Sequence, residues 1–133
     1  MSTAKRILIL GSTGSIGVQA LNVIAASEEL ELVALSAQSN WELLLTQAQR
    51  FGVTRVALSD ENAAARAAAA WPAGEVKAGA QGLVELIVES GADLVLNAIV
   101  GSAGLGPTIV ALGEGIDRGT TDFAAEVAAQ LKH

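Results

Sequence analysis

A chain of 133 residues, 51% hydrophobic and 17% charged, has the length of one domain and enough apolar mass to fill a core, which excludes a disordered chain. Its formal charge of −6 and its lack of a lysine–arginine cluster argue against a nucleic-acid partner, because neutralising a phosphate backbone takes basic side chains gathered together. Cysteine is absent, which removes disulfides and thiolate zinc sites, and no apolar run reaches the length of a membrane span.

Residues 6–10 are predicted to form a buried strand, since Ile7-Leu8-Ile9-Leu10 is an unbroken apolar run. Lys5 and Arg6 precede it, but the run stops after four residues at a glycine. It is not expected to act as a signal peptide, and a cytoplasmic location is expected. Gly11-Ser12-Thr13-Gly14-Ser15-Ile16-Gly17 follows directly. Glycines spaced by three, between a strand and a helix, predict a phosphate-binding turn. Glycine permits the sharp turn and the close backbone approach, while the helix N-terminus offers free N–H groups and a partial positive charge. The helix is predicted over 15–26, with Ile16, Ala20, Val23 and Ile24 on its buried face.

A second strand is predicted over 30–37. Ser39 and Glu42 have capping-box spacing, with Ser39 at the N-cap of a helix over 41–51 that stops at Gly52. A third strand follows over 55–58. Asp60 and Glu61 favour the start of an alanine-rich helix, predicted over 63–70 and ended near Pro72. Residues 75–78 are read as a short edge strand, 82–90 as a helix and 93–99 as a strong strand. Pro107 suits the start of a helix over 104–112, and Phe123, Val127 and Leu131 recur at helical spacing in a tail helix over 120–132.

Apolar strands alternating with helices imply a parallel sheet covered on both faces. The predicted fold is α/β: a Rossmann-like doubly wound parallel sheet in three layers, α/β/α, forming a single dinucleotide-binding domain over 1–133. Right-handed crossovers put the first strand in the centre, the second and third to one side, and the strand over 93–99 on the other. Residues 11–17 and 97–104 then meet at the switch point, where this architecture binds ligands.

Nothing comparable points to catalysis. Ser12 and Ser15 have no nearby base, and His133, the only histidine, is the last residue. Glu85 and Glu89 lie four apart, but without a third ligand they read as a solvated helix face. Asp93 reads as a solvated turn residue, Asp117 and Asp122 have no evident partner, and Trp41 and Trp71 read as packing residues at helix ends. Trp41 near an adenine is the alternative. No catalytic and no metal-binding residue is predicted.

Three segments carry a resemblance to a known family. Residues 9–17, followed by Gln19-Ala20-Leu21-Asn22-Val23-Ile24, resemble the N-terminus of the 1-deoxy-D-xylulose 5-phosphate reductoisomerases. Asn97-Ala98-Ile99-Val100-Gly101-Ser102-Ala103-Gly104-Leu105, with Pro107-Thr108, is similar to another distinctive segment of that family, and Val33-Ala34-Leu35-Ser36-Ala37 resembles its second strand. The family converts a deoxyketose phosphate to methylerythritol 4-phosphate in isoprenoid precursor synthesis, with NADPH and a divalent metal. The resemblance implies that Gly11, Thr13, Gly14, Ser15, Ile16 and Gly17 form the diphosphate turn. It places the segment Ala37-Gln38-Ser39-Asn40, with Ala37, Ser39 and Asn40 as the contacts, at the adenosine ribose and its 2′-phosphate, and Ala98, Ile99, Val100 and Gly101 beside the nicotinamide half.

The chain also departs from the family. A glycine and a basic residue usually precede the position of Asn40; Gln38 and Ser39 stand here. A 2′-phosphate loses a charge-assisted contact, and no acidic residue ends the second strand to hold a free 2′-hydroxyl. NADPH is the expected cofactor, with NADH as the alternative. Family-like sequence covers 5–113, and 114–133 reads as a divergent helical tail suited to self-association. The family's acidic metal ligands and C-terminal domain have no counterpart here, so the divalent metal is not expected to bind and the chain is expected to be inactive alone. Two other readings remain: a Rossmann-type scaffold or engineered fragment that binds no nucleotide, and the cofactor domain of another NAD(P)-dependent dehydrogenase, since aspartate-semialdehyde dehydrogenases carry a similar glycine turn.

Overall fold

The computed structural model describes residues 4–98 and 108–111. Along the chain run β1 (Lys5–Leu10), α1 (Ser15–Ala25), β2 (Leu30–Ala37), α2 (Trp41–Phe51), β3 (Arg55–Leu58), α3 (Glu61–Ala70), β4 (Glu75–Ala78), α4 (Gly79–Glu89), β5 (Leu94–Asn97) and β6 (Thr108–Ala111). They build one six-stranded sheet in the order β4-β3-β2-β1-β5-β6. The pairs among β1 to β5 are parallel, so the expected Rossmann-like order is present with β1 inside the sheet.

The two faces of β1 separate the core. Ile7 and Ile9 point to a layer filled by Leu21 and Ile24 of α1, Leu44, Leu45 and Ala48 of α2, and Ala63, Ala64 and Ala67 of α3. Leu8 and Leu10 point to the opposite layer, filled by Leu83, Leu86 and Ile87 of α4. Three helices therefore cover one face and α4 the other. The reason is the direction of travel. From β1 to β4 the chain steps one way across the sheet, and from β4 it returns past β1, so a right-handed crossover must use the far face. Val33 is an extra residue in the β1–β2 register, where Ile7 pairs with Leu32 but Leu8 pairs with Ala34. This bulge lets Leu35 and Ala37 share the three-helix layer with Leu32.

Several expectations need correction. The helix read over 104–112 is not formed at Thr108–Ala111, which is β6, antiparallel to β5 with Asn97 opposite Thr108 and Leu94 opposite Ala111. β-Branched Thr108, Ile109 and Val110 suit an extended chain, and β6 pairs an edge of β5 that would otherwise lie open. The five expected strands are parallel to one another, and β6 joins them as an antiparallel sixth. The buried stripe of α1 is Gly17, Leu21 and Ile24, and Val23 is 62% exposed because it is rotated about 100° from Ile24. The N-cap of α2 is Asn40, not Ser39: the Asn40 side chain accepts from the Leu43 N–H at 3.3 Å. The Ser39 carbonyl accepts from the Trp41 N–H at 2.8 Å, which keeps Ser39 in the turn before the helix. Gly52 closes α2 in the left-handed conformation, as predicted. Ile99, Val100, Gly101 and the tail over 114–133 lie outside the described residues.

Candidate functional site

The carboxyl ends of β1, β2, β3 and β5 open onto one cleft of about 410 Å³. Its floor is the turn after β1, where Gly11 takes φ 81°, a left-handed conformation that a side chain would strain. Gly14 then takes the N-cap of α1. A Cβ on Gly14 would meet only the Gly11 carbonyl, at 3.7 Å, so the position is otherwise open. Gly17 is different. A Cβ there would stand 2.3 Å from the Gly11 carbonyl oxygen and 2.6 Å from the Ser12 Cα, so the absence of a side chain is what lets α1 seat against its own turn. The glycines thus divide the work into turning, leaving space and packing.

The N-terminus of α1 is suited to an anion. No side chain caps it, and its first turn carries no acidic residue. α2 and α3, by contrast, are capped by Asn40 and Asp60 and carry Glu42 and Glu61 in their first turns. The first-turn amides of α1 therefore keep their partial positive charge beside Gly14 and Ser15, which line the cleft.

The other walls are neutral. Ser36, Ala37 and Gln38 come from the end of β2, Ser59 follows β3, Leu83 projects from α4, and Ala98 follows β5, its N–H donating to the Leu10 carbonyl at 2.8 Å. The Ser59 and Asp60 amides donate to the carbonyls of Ala37 and Gln38, which straps the β2 end to the β3 end. Among the described residues that line the cleft, none has an ionisable side chain. What binds there is met by backbone N–H groups, hydroxyls and one carboxamide.

Of the residues singled out in the sequence, Gly11, Thr13, Gly14, Ser15, Ala37 and Ala98 come together in the cleft wall. Gly17 and Ile16 lie in the first turns of α1; Gly17 is packed into the turn, and Ile16 rests on the core. Ser39 and Asn40 are exposed and outside the wall, and the Asn40 side chain is engaged as a helix cap. Gln38, inside the segment expected at the adenosine ribose, also lines the wall, and three wall residues were missed: Ser36, Ser59 and Leu83. Ser59 was legible as the residue just past a strand's carboxyl end, whereas nothing in the sequence announces Leu83.

Charged groups with displaced pKa values lie elsewhere. Lys77 on β4 is ringed by Glu75, Glu85 and Glu89 at 3.1, 3.2 and 3.3 Å. Hydrogen bonds to Glu75 and Glu85 raise its pKa, and the Gln81 amide and the Lys77 ammonium hold the Glu85 carboxyl below its usual value. Glu85 and Glu89 are therefore ion-pair partners of a lysine, and among the described residues no group of three acidic, histidine or cysteine side chains is placed to hold a metal. Asp93 is also more than a solvated turn residue. It accepts from the Arg6 backbone N–H at 2.9 Å, which lowers its pKa and ties β1 to the start of β5. Trp41 and Trp71 pack against the core as expected. No helix among the described residues is long and apolar enough to cross a membrane.

Comparison with known proteins places this geometry. The family model of 1-deoxy-D-xylulose 5-phosphate reductoisomerase matches residues 7–117. Over 113 residues the chain is 49% identical to the 1-deoxy-D-xylulose 5-phosphate reductoisomerase of Mycobacterium avium (strain 104), covering 83% of this chain and 26% of that one. The solved reductoisomerase from Zymomonas mobilis in complex with NADPH is 34% identical with a TM-score of 0.68, over 78% of this chain and 28% of that one. A reductoisomerase structure with NADPH, fosmidomycin and magnesium is 26% identical with a TM-score of 0.69, over 95% and 28% of the two chains. The chain spans about a quarter of the length of these relatives.

Proposed function

Because the chain belongs to the 1-deoxy-D-xylulose 5-phosphate reductoisomerase family, we propose that it is the NADPH-binding part of a reductoisomerase and that its cleft seats the dinucleotide. The observation that carries this reading is the α1 N-terminus, uncapped and free of acidic residues, opening into a cleft with glycine backbone for a floor. The Thr13, Gly14, Ser15 and Ile16 segment donates to the diphosphate, and Gly11 and Gly17 shape the turn. Ala37, Ser39 and Asn40, joined by Gln38 and Ser59, face the adenosine ribose and its 2′-phosphate. Ala98, with Ile99, Val100 and Gly101, borders the nicotinamide.

Bound there, NADPH supplies a hydride. This chain's residues hold the dinucleotide and orient it, and Leu83 shields one side of the cleft from water. The sugar-phosphate substrate, the divalent metal and the turnover belong, in this reading, to the whole reductoisomerase. A second reading, that NADH is accepted about as well as NADPH, is favoured by the lack of any charged side chain among the described wall residues. The net charge of −6 supports the absence of a nucleic-acid partner. Self-association through 120–132 and a cytoplasmic location complete the proposal; sedimentation velocity and cell fractionation test them.

The cofactor reading is tested by titrating NADPH, NADH and 2′-phospho-AMP while following the backbone amide resonances of 11–17. Saturable shifts in those amides are expected. Silence at millimolar NADPH overturns the proposal, and equal affinity for the two dinucleotides selects the second reading.

A further inference from the structure

Three polar residues are buried among the described residues: Ser12, Ser36 and Gln47. All three meet behind the glycine turn. The Ser12 hydroxyl donates to the Gln47 carboxamide oxygen at 2.8 Å, and the Gln47 carboxamide nitrogen donates to the Ser12 backbone carbonyl at 3.0 Å. Only the NH₂ end of the amide can face a carbonyl, so the orientation of Gln47 is dictated by its partner. On the other side of Ser12, the Gly11 and Ser12 amides both donate to the Ser36 carbonyl, at 2.9 and 3.0 Å. No buried polar side-chain atom of the described residues lacks a partner.

Ser12 and Gln47 are not among the residues that line the cleft, whereas Ser36 is, so the cluster connects the turn to a wall. Gln47 sits on the buried side of α2, among Leu44, Leu45 and Ala48. The same helix begins at Asn40, immediately after the β2 end that contributes Ser36, Ala37 and Gln38 to the cleft. Helix α2 and the end of β2 therefore grip the turn from two sides. A carboxamide in an apolar helix stripe is costly unless both its ends are satisfied, and here both are spent on one residue of the turn.

We propose that Gln47 is a positioning residue for the dinucleotide: it fixes the glycine turn at a set distance from the β2–α2 end, so that one bound molecule can use both. This rests on the cofactor reading above. A ligand that spans both subsites gains from their fixed separation, whereas a fragment occupying one of them does not. Loss of Gln47 is therefore felt by the dinucleotide and not by the adenosine fragment.

The test compares wild type with Gln47→Leu, which keeps the bulk and removes both bonds. Amide hydrogen exchange at Gly11 and Ser12 is expected to accelerate by at least about tenfold, with Ile9 and Ala48 unchanged. The dissociation constant for NADPH is expected to rise by about tenfold or more, and that for adenosine 2′-monophosphate by less than about twofold. Unchanged exchange at Gly11 and Ser12, or equal loss of NADPH and the fragment, overturns the proposal. Should Gln47→Leu not fold, Ser12→Ala removes one of the two bonds. It is expected to weaken NADPH by about threefold or more while sparing the fragment, and unaltered NADPH binding in that variant is equally fatal. A wild-type chain indifferent to NADPH overturns the cofactor reading instead, and the exchange measurement alone then decides whether Gln47 holds the turn.

Discussion

Gly17 and Gly11 lie so close that a Cβ on the first would stand 2.3 Å from the carbonyl oxygen of the second, well inside van der Waals contact. Gly14, three residues from each, has open space where its Cβ would be. Two glycines of one motif thus have separable roles. Gly17→Ala forces α1 away from its turn and is expected to cost about 1–3 kcal/mol of stability. Gly14→Ala exchanges one N-cap residue for a poorer one, about 0.5–1 kcal/mol, and its new methyl stands where a diphosphate would approach. Denaturant unfolding with parallel NADPH titration checks both. Gly17→Ala should move the unfolding midpoint more, and Gly14→Ala should lose affinity while remaining folded.

Cofactor preference should respond to Gln38, the wall residue at the end of β2. Gln38→Arg supplies a charge-assisted donor to a 2′-phosphate and is expected to shift selectivity toward NADPH by about tenfold. Gln38→Asp should move it the other way, because a carboxylate accepts from a free 2′-hydroxyl and repels a phosphate. Calorimetric titration of each variant with both dinucleotides measures the ratio, and a ratio identical across the three proteins would contradict the expectation.

Asn40 has a structural task whatever else it does, since its side chain accepts from the Leu43 N–H. Asn40→Ala should cost about 1 kcal/mol, and Asn40→Ser should restore nearly all of it, because serine caps equally well. If Asn40 also meets the ribose, NADPH affinity falls in the serine variant despite its recovered stability. Thermal unfolding and NADPH titration on the pair separate the two roles.

The pH dependence follows from two carboxyls. Asp93 and Glu85 have folded pKa values held below their unfolded ones, by the Arg6 N–H in one case and by Gln81 and Lys77 in the other. Such groups stabilise above the unfolded value and lose that contribution as pH falls through the folded one. The melting temperature should therefore drop as pH is lowered below about 4, less steeply in Asp93→Asn and Glu85→Gln. Lys77 has the opposite sign. Its raised pKa makes its contribution complete at neutral pH and lost only in strong alkali. Lys77→Met leaves Glu75, Glu85 and Glu89 facing one another, and like charges raise carboxyl pKa values. That variant should melt lower than wild type at about pH 7 and gain stability on acidification to about pH 5. A melting series across pH checks both signs.

Much of the fold was legible because it is written in local spacing. The apolar run at β1, the span of β2, the limits of α2 with Gly52 behind it and the edge strand β4 all follow from periodicity and turn chemistry within a few residues. The glycine turn was legible for the same reason, since a strand, three spaced glycines and a helix are contiguous. Where two local signals competed, the reading slipped. Ser39 and Asn40 are both good caps, and the bond that the Asn40 side chain accepts from the Leu43 N–H chose between them. Thr108–Ala111 follows a proline that suits a helix start, yet its strand exists because β5 has an edge to pair.

What residue order settled, then, is which segments are strands and helices and where the chain turns sharply enough to receive an anion, because those depend on neighbours a few positions away. The tertiary structure decided the relations across the sheet. It put α1, α2 and α3 on one face and α4 on the other, closed the carboxylates of Glu75, Glu85 and Glu89 around Lys77, and brought Gln47 to Ser12, 35 positions away. A polar residue in an apolar stripe marks a buried partner, but the stripe cannot name it. Only packing α2 against β2 and β3 identifies that partner as the turn that would hold the cofactor, since a hydrogen bond over 2.8 Å is a fact of space rather than of order along the chain.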